Sequence, residues 1–154
     1  MPSWGYSITK LDPERSAIAS GRDMPISFKD AVEICKNIKG LDVESAKKFL
    51  EDVISMKRMV SIKRYKKKLP HHSLQGWYTG RYPVKASKYI LDVVKQLEAN
   101  AEYKGLDTSR LKIIHAAAQK GMVIKKYIQR AYGRSTPYFR QTVHVELAAV
   151  EVIK

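Results

Sequence analysis

Apolar residues recur at helical spacing in three stretches of the chain and alternate with polar ones in two others, and these five runs set the expected elements. Ala31, Ile34, Cys35 and Ile38 are three, one and three residues apart, which predicts a short helix with one apolar face. Ser27 stands where an N-cap hydroxyl belongs, Asp30 follows as a shortened capping box, and Gly40 supplies the stop. Asp42 is the expected cap of a second helix, whose face is Ala46, Phe49, Leu50, Val53 and Ile54 and which runs out near Lys57. Pro83 suits the first turn of a third and longest helix, with a stripe of Tyr89, Ile90, Val93, Val94, Leu97 and Ala101, ended by Gly105.

After the turn LDTSR, the segments LKIIHAAAQKGMVIKKYI and TVHVELAAVEVI both favour β structure. They predict one antiparallel hairpin over about 111–153, with its tip at about 130–137 and Gly133 as the turn residue. Arms of about 18 residues at ~3.3 Å each make a ribbon of roughly 60 Å, whereas a compact chain of this length is only about 40 Å across. The base, with Ile113, Ile114, Val145, Leu147, Val150 and Val152, is therefore expected to pack on the helices, and residues 123–142 to project beyond any core. A bare two-stranded ribbon is marginal in water, so a partner is needed to hold the tip.

Two stretches show no periodicity. The first 25 residues, with Pro2, Pro13, Gly21 and Pro25, are expected to be irregular and to lie along a surface. Residues 58–81, broken by Pro70, Gly76 and Gly80, predict a basic arm that becomes ordered on a partner.

Charge identifies the kind of partner. The 154 residues, enough for a single domain spanning 1–154, carry a formal net charge of +14, which favours a polyanion, nucleic acid ahead of a membrane surface. Asp and Glu are absent from 53–91 and from 108–145, and those windows hold ten and eight of the 29 basic residues. In KKYIQRAYGRSTPYFRQ, Arg130, Arg134 and Arg140 alternate with Tyr127, Tyr132, Tyr138 and Phe139. Arginine grips phosphate and stacks on bases, aromatic rings stack on unpaired bases, and carboxylates would repel the phosphate lattice. Solubility alone would explain lysine better than this arginine and tyrosine mixture.

Other classes fare worse. No apolar run approaches the length of a membrane span and the N-terminal end lacks a signal-peptide core, so a cytoplasmic protein without membrane contact is expected. Cys35 is the single cysteine, on an apolar stripe, and reads as a buried inert thiol. Adjacent His71 and His72 are poorly spaced for one metal. His115 and His144, on opposite arms, could face each other as a pair for RNA cleavage, although structural roles suit strand histidines better. There is no phosphate-binding glycine loop and no carboxylate pair in the basic windows, so no metal, cofactor or enzymatic activity is expected.

The order of parts, the tip motif Arg130, Ala131, Tyr132, Gly133, Arg134, and the runs GWYTGRYPVKASKYIL and NAEYKGLD resemble the universal large-subunit ribosomal protein family numbered twenty-two, in its archaeal and eukaryotic branch. The likeness covers nearly the whole chain. It implies an α/β fold of the α+β kind, with three helices packed on a small antiparallel sheet and a long protruding C-terminal β-hairpin. It also implies a structural constituent of the large ribosomal subunit that binds large-subunit ribosomal RNA, abuts neighbouring ribosomal proteins and sends its hairpin tip, Arg130 to Arg134, to the wall of the tunnel that carries the nascent peptide. The expected RNA contacts are Lys57, Arg58, Lys63, Arg64, Lys66, Lys67, Lys68, Trp77 and Arg81 in and beside the arm, and Lys85 and Lys88 on the third helix. On the hairpin they are Lys125, Lys126, Tyr127, Arg130, Tyr132, Arg134, Tyr138 and Arg140. Relative to the bacterial pattern the chain adds about 20 N-terminal residues and the arm, and Tyr132 and STPYF replace a Lys and an Ala-Asp at the tip. A free RNA-binding or RNA-chaperone module has the same composition and remains the alternative.

Overall fold

The last strand of the chain is its most deeply buried one, and the rest of the fold is arranged around it. In this computed structural model, which describes residues 5–74 and 76–152, residues 1–4 of the N-terminal run, residue 75 of the arm and residues 153 and 154 lie outside the described residues. The elements are β1 (Ser16–Met24), α1 (Phe28–Ile38), α2 (Val43–Ile54), β2 (Val60–Ser61), β3 (His71–Leu74), β4 (Trp77–Arg81), α3 (Val84–Tyr103), β5 (Leu111–Ile124), β6 (Tyr127–Gln129), β7 (Ser135–Pro137) and β8 (Arg140–Glu151). Strand β8 lies between β1 and β5, antiparallel to both. Its inner face, Val143, Val145, Leu147 and Ala149, continues through Ala17 and Ala19 of β1 and Leu111 and Ile113 of β5. Helices α1 and α3 cover that face, and α2 packs on α3. Full burial of side chains such as Ile34, Leu50, Ile90, Leu97 and Leu147 stabilises the fold by about 1.5–3 kcal/mol each. This is the expected arrangement of three helices on a small antiparallel sheet.

The helices follow the periodic pattern closely. The Ser27 hydroxyl accepts the Asp30 amide at 3.5 Å, and the positive φ of Gly40 and Gly105 carries the chain out of α1 and past the end of α3. Three details differ. Asp42 occupies the N-cap of α2, but its side chain makes no capping hydrogen bond. Tyr89 belongs to the exposed side of α3, and Leu91 and Ser87 are buried in its place. Helix α2 ends at Ile54, where the Asp52 carbonyl accepts the amides of both Lys57 and Arg58 and turns the chain back.

The N-terminal run is not irregular throughout, because residues 16–24 form an edge strand of the main sheet. The inward residues of β1 are alanines, whose small apolar contrast left the alternation faint. Gly21 allows the close approach of α3: a Cβ there would stand 2.8 Å from Val93 Cγ2. The outer face of the sheet is also covered. Residues 5–7 reach over it, and the buried Glu146 carboxylate accepts the Ser7 amide at 3.0 Å and the Ser7 hydroxyl at 2.7 Å.

The hairpin base departs from simple alternation at two β-bulges on β5, between Ile113 and His115 and between Lys120 and Val123. Each adds one residue to β5 relative to β8 and increases the local twist. Ile114 is the extra residue of the first bulge and turns outward, so Ala116 and Ala118 take over the inner face. Ile114 and Val152 are consequently exposed and Val150 only half-buried, contrary to their expected place in the base.

The arm is a folded unit in its own right. Strands β2, β4 and β3 form a second antiparallel sheet with Val60, Ile62 and Thr79 buried. It is fastened to α1 by two side chains. Glu33, 1% exposed, accepts the amides of Lys63 and Arg64 at 3.0 Å each, and Asn37 donates to the Ser61 carbonyl at 3.0 Å. The arm therefore has a sheet of its own and hydrogen bonds to the body, where the sequence shows no periodicity. Cys35 is buried, as expected, and burial pushes its thiol up to about 12.

Candidate nucleic-acid interface

Beyond Gly121 the hairpin leaves the body, and every residue from 122 to 140 is exposed. Its backbone is still a ladder. Tyr127 pairs with Pro137, Ile128 with Thr136 and Gln129 with Ser135, and the Tyr138 amide donates to the Lys126 carbonyl at 2.6 Å. At the tip Arg130 donates its amide to the Arg134 carbonyl at 2.8 Å. Between them Tyr132 and Gly133 have φ of 58° and 66°, the left-handed pair that a tight type I′ turn requires. Gly133 adopts that conformation at no cost, whereas Tyr132 is strained there. The Tyr132 side chain is 94% exposed. Asn or Gly would serve the turn better, so the phenol contributes nothing to the fold that justifies its presence.

The ribbon carries its other predicted residues in the same outward manner. Tyr127 meets Phe139 edge-on at 5.7 Å, Arg130 donates to the Thr136 hydroxyl at 2.9 Å, and Lys125, Lys126, Arg134, Tyr138 and Arg140 all face solvent. On the arm, aromatic rings hold the cations in place. The Lys63 and Lys66 ammoniums each lie 5.8 Å from the Trp77 ring, Lys66 also hydrogen-bonds the Tyr78 hydroxyl at 2.8 Å, and Arg58 lies 4.9 Å over Phe49. Trp77 is half-buried and donates its indole N–H to the Ile62 carbonyl at 2.9 Å, so it braces the small sheet as well as presenting a face. Lys57, Arg64, Lys67, Lys68, Arg81, Lys85 and Lys88 are exposed.

The carboxylates are elsewhere. Among the described residues the ion pairs join Arg22 to Glu146, Lys36 to Glu33, Lys47 to Glu98 and Arg110 to Asp107, and His144 Nε2 lies 4.0 Å from Asp23 Oδ1. None involves a cation predicted to touch RNA. The fold also brings the two basic windows together: Lys85 at the start of α3 shares a cleft of about 400 Å³ with Lys126 and Arg140, over a floor that includes Ile26 and Ile124. Lys57 and Arg58 line a second cleft of about 690 Å³ with His72 and Tyr82. Lys88 borders neither. The sequence reading missed Lys29 and Lys120, which stand beside the Tyr65 and Phe28 rings. Lys120 was legible as a member of an acid-free window, whereas Lys29 follows Ser27 in a segment with ordinary charge balance.

The histidines do not form a cleavage pair. His115 is paired with Ala148 and His144 with Gln119, four positions apart on β8, so they do not face each other. His115 Nε2 lies 3.0 Å from the Ser7 hydroxyl, and His144 Nδ1 accepts the Asp23 amide at 3.0 Å. Burial would push the Glu146 carboxyl up, but hydrogen bonds from Ser7 and the charges of Arg22 and His115 outweigh it and hold the group below its ordinary 4.5. This network fastens the N-terminal segment. Among the described residues no cluster of His, Cys, Asp or Glu is arranged to hold a metal ion, and no helix is long and apolar enough to cross a membrane.

A small α+β body thus bears a folded cationic arm and a projecting ribbon, and among the described residues no carboxylate pairs with the ribbon's cations. The chain belongs to the family described as ribosomal protein L22p/L17e, whose model matches residues 19–150. It is similar to the large ribosomal subunit protein uL22 of Archaeoglobus fulgidus, with 56% identity over 145 residues and 94% of each chain covered. The proteins of that name from Thermofilum pendens and Methanocaldococcus jannaschii are 51% identical over 153 residues and 50% identical over 143, covering 99% and 92% of each chain respectively.

Proposed function

We infer that the protein is a structural constituent of the large ribosomal subunit, where it binds and organises large-subunit ribosomal RNA and lines the nascent-peptide exit tunnel with its hairpin tip. The observation that carries this reading is the run of exposed residues from 122 to 140, rich in arginine and tyrosine and free of carboxylates. A two-stranded ribbon without a core is stabilised from outside, and this composition suits a surrounding of phosphates and unpaired bases. The body supplies apolar stability. Lys57, Arg58, Lys63, Arg64, Lys66, Lys67, Lys68 and Arg81, with the Trp77 face, form the arm's RNA contacts, and Lys85 and Lys88 extend them along α3. Lys125, Lys126, Tyr127, Arg130, Tyr132, Arg134, Tyr138 and Arg140 hold the hairpin in RNA, and of the tip Arg130, Ala131, Tyr132, Gly133 and Arg134 are tunnel-proximal, next to the nascent peptide. Neighbouring large-subunit proteins contact the rest of the body.

Sedimentation of a cell extract through a sucrose gradient, before and after a high-salt wash, tests the reading. Retention in the large-subunit peak after washing is expected of an integral constituent. Release by salt, or a position near the top of the gradient throughout, would overturn the reading in favour of a free RNA-binding module.

A further inference from the structure

Three clefts border the connection between β1 and α1, and they share walls. The first, about 260 Å³, lies against the arm and includes Ser27, Lys29, Tyr65 and Lys67. The second, about 580 Å³, again includes Ser27, Lys29 and Tyr65, and adds Phe28 and Lys120. It shares Ile26 and Gln141 with the third, the cleft bounded by Lys85, Lys126 and Arg140 at the root of the hairpin. The arm and the hairpin root are thus joined across the surface by a row of adjoining clefts, a depression whose neighbouring parts share lining residues. We propose that this depression is a single track for one unpaired RNA strand, with Lys29 and Lys120 as its central phosphate contacts. The proposal rests on the ribosomal RNA-binding reading above and adds the path and the form of the RNA.

The chemistry along the track supports that occupant. The Lys29 ammonium lies 5.6 Å from the Tyr65 ring and the Lys120 ammonium 5.5 Å from the Phe28 ring. Both rings are half-buried and both lysines exposed, so each site pairs a cation with an aromatic surface, the combination that accepts a phosphate and an unstacked base together. A duplex keeps its bases stacked and offers such rings nothing. Two carboxylates border the first cleft. Glu33 is buried and engaged by the Lys63 and Arg64 amides and by Lys36, which leaves Asp30 as the one acid facing a row of cations.

The test is fluorescence anisotropy of a short labelled oligouridylate, and separately of a short RNA duplex, titrated with the full chain across a salt series. The Lys29→Ala/Lys120→Ala variant is expected to bind oligouridylate more weakly. Its plot of log affinity against log salt should be shallower by about 1.4, since each phosphate contact on a single strand contributes about 0.7. Both side chains are exposed, and thermal unfolding checks that the variant folds as the parent does. Lys39→Ala/Lys48→Ala, exposed lysines away from the track, serves as the control. If the track variant matches this control while Arg134→Ala weakens binding, the track is wrong and the ribosomal reading stands. If no variant weakens binding, the RNA-binding reading itself falls. An equal loss of slope on the duplex overturns the unpaired strand as occupant.

Discussion

Replacing Glu33 should loosen the arm on the body without unfolding the body. This carboxylate, 1% exposed, accepts the Lys63 and Arg64 amides at 3.0 Å through separate oxygens, with the Lys36 ammonium at 3.5 Å. Hydrogen bonds to a charged acceptor contribute about 1.5–3 kcal/mol each. The amides sit near the surface and water recovers part of that, so Glu33→Ala should lower the local stability of the arm by about 2–4 kcal/mol. Glu33→Gln should cost nearly as much, because the amide offers one oxygen to two donors and turns an N–H toward the second. Hydrogen exchange reads the effect by segment. Amides of β2 and β4 should exchange about 30- to 1,000-fold faster, since each 1.4 kcal/mol is a factor of ten, while those of β8 and α3 stay protected. Unchanged exchange in residues 60–81 of both variants would refute the claim that the Glu33 carboxylate helps to fasten the arm.

Three further outcomes follow from the geometry. Gly121→Ala drives a methyl into the Thr142 hydroxyl and to 3.1 Å from the His144 ring, so it should lower stability by about 1–3 kcal/mol in denaturant unfolding, with partial recovery when Thr142→Ala is added. Glu146 has a carboxyl held below its ordinary value, so its contribution is fully present above the unfolded carboxylate range and disappears as pH falls through the folded value. The stability gap between the parent and Glu146→Gln should therefore narrow on acidification below about pH 4, and a gap that widens there would contradict the assignment. Arg134→Ala and Arg140→Ala should leave the melting temperature of the free chain nearly unchanged and weaken RNA binding. A drop of several degrees with RNA affinity intact would reverse that division of labour.

Elements whose signal is local were legible in the sequence. The three helices have strong 3.6-residue stripes and recognisable starts and stops, and the hairpin has two long alternating arms around Gly133. What was missed depends on distant partners. Strand β1 presents alanines inward and is completed by β8, 119 or more residues away, so nothing within residues 16–24 marks it as a strand. The arm sheet depends on Glu33, which by composition is an ordinary solvated helix residue and is buried only because the Lys63 and Arg64 amides reach it. The first bulge on β5 changes which residues face inward, and no residue type near Ile114 announces it. The candidate cations of the two acid-free windows stand exposed on the arm, α3 and the hairpin. Sequence distance hid the meeting of Lys85 with Lys126 and Arg140, and the place of Lys29 between them and the arm.

The most direct test of the central claim, that RNA and the nascent chain complete the distal hairpin, is site-specific crosslinking from its tip in assembled large subunits. A photoreactive phenylalanine analogue replacing Tyr132, a side chain that is 94% exposed, should crosslink to large-subunit ribosomal RNA, and to the nascent peptide when the subunits are translating. Crosslinks confined to proteins on the outer surface of the subunit, or none at all in particles that contain the variant, would contradict the account.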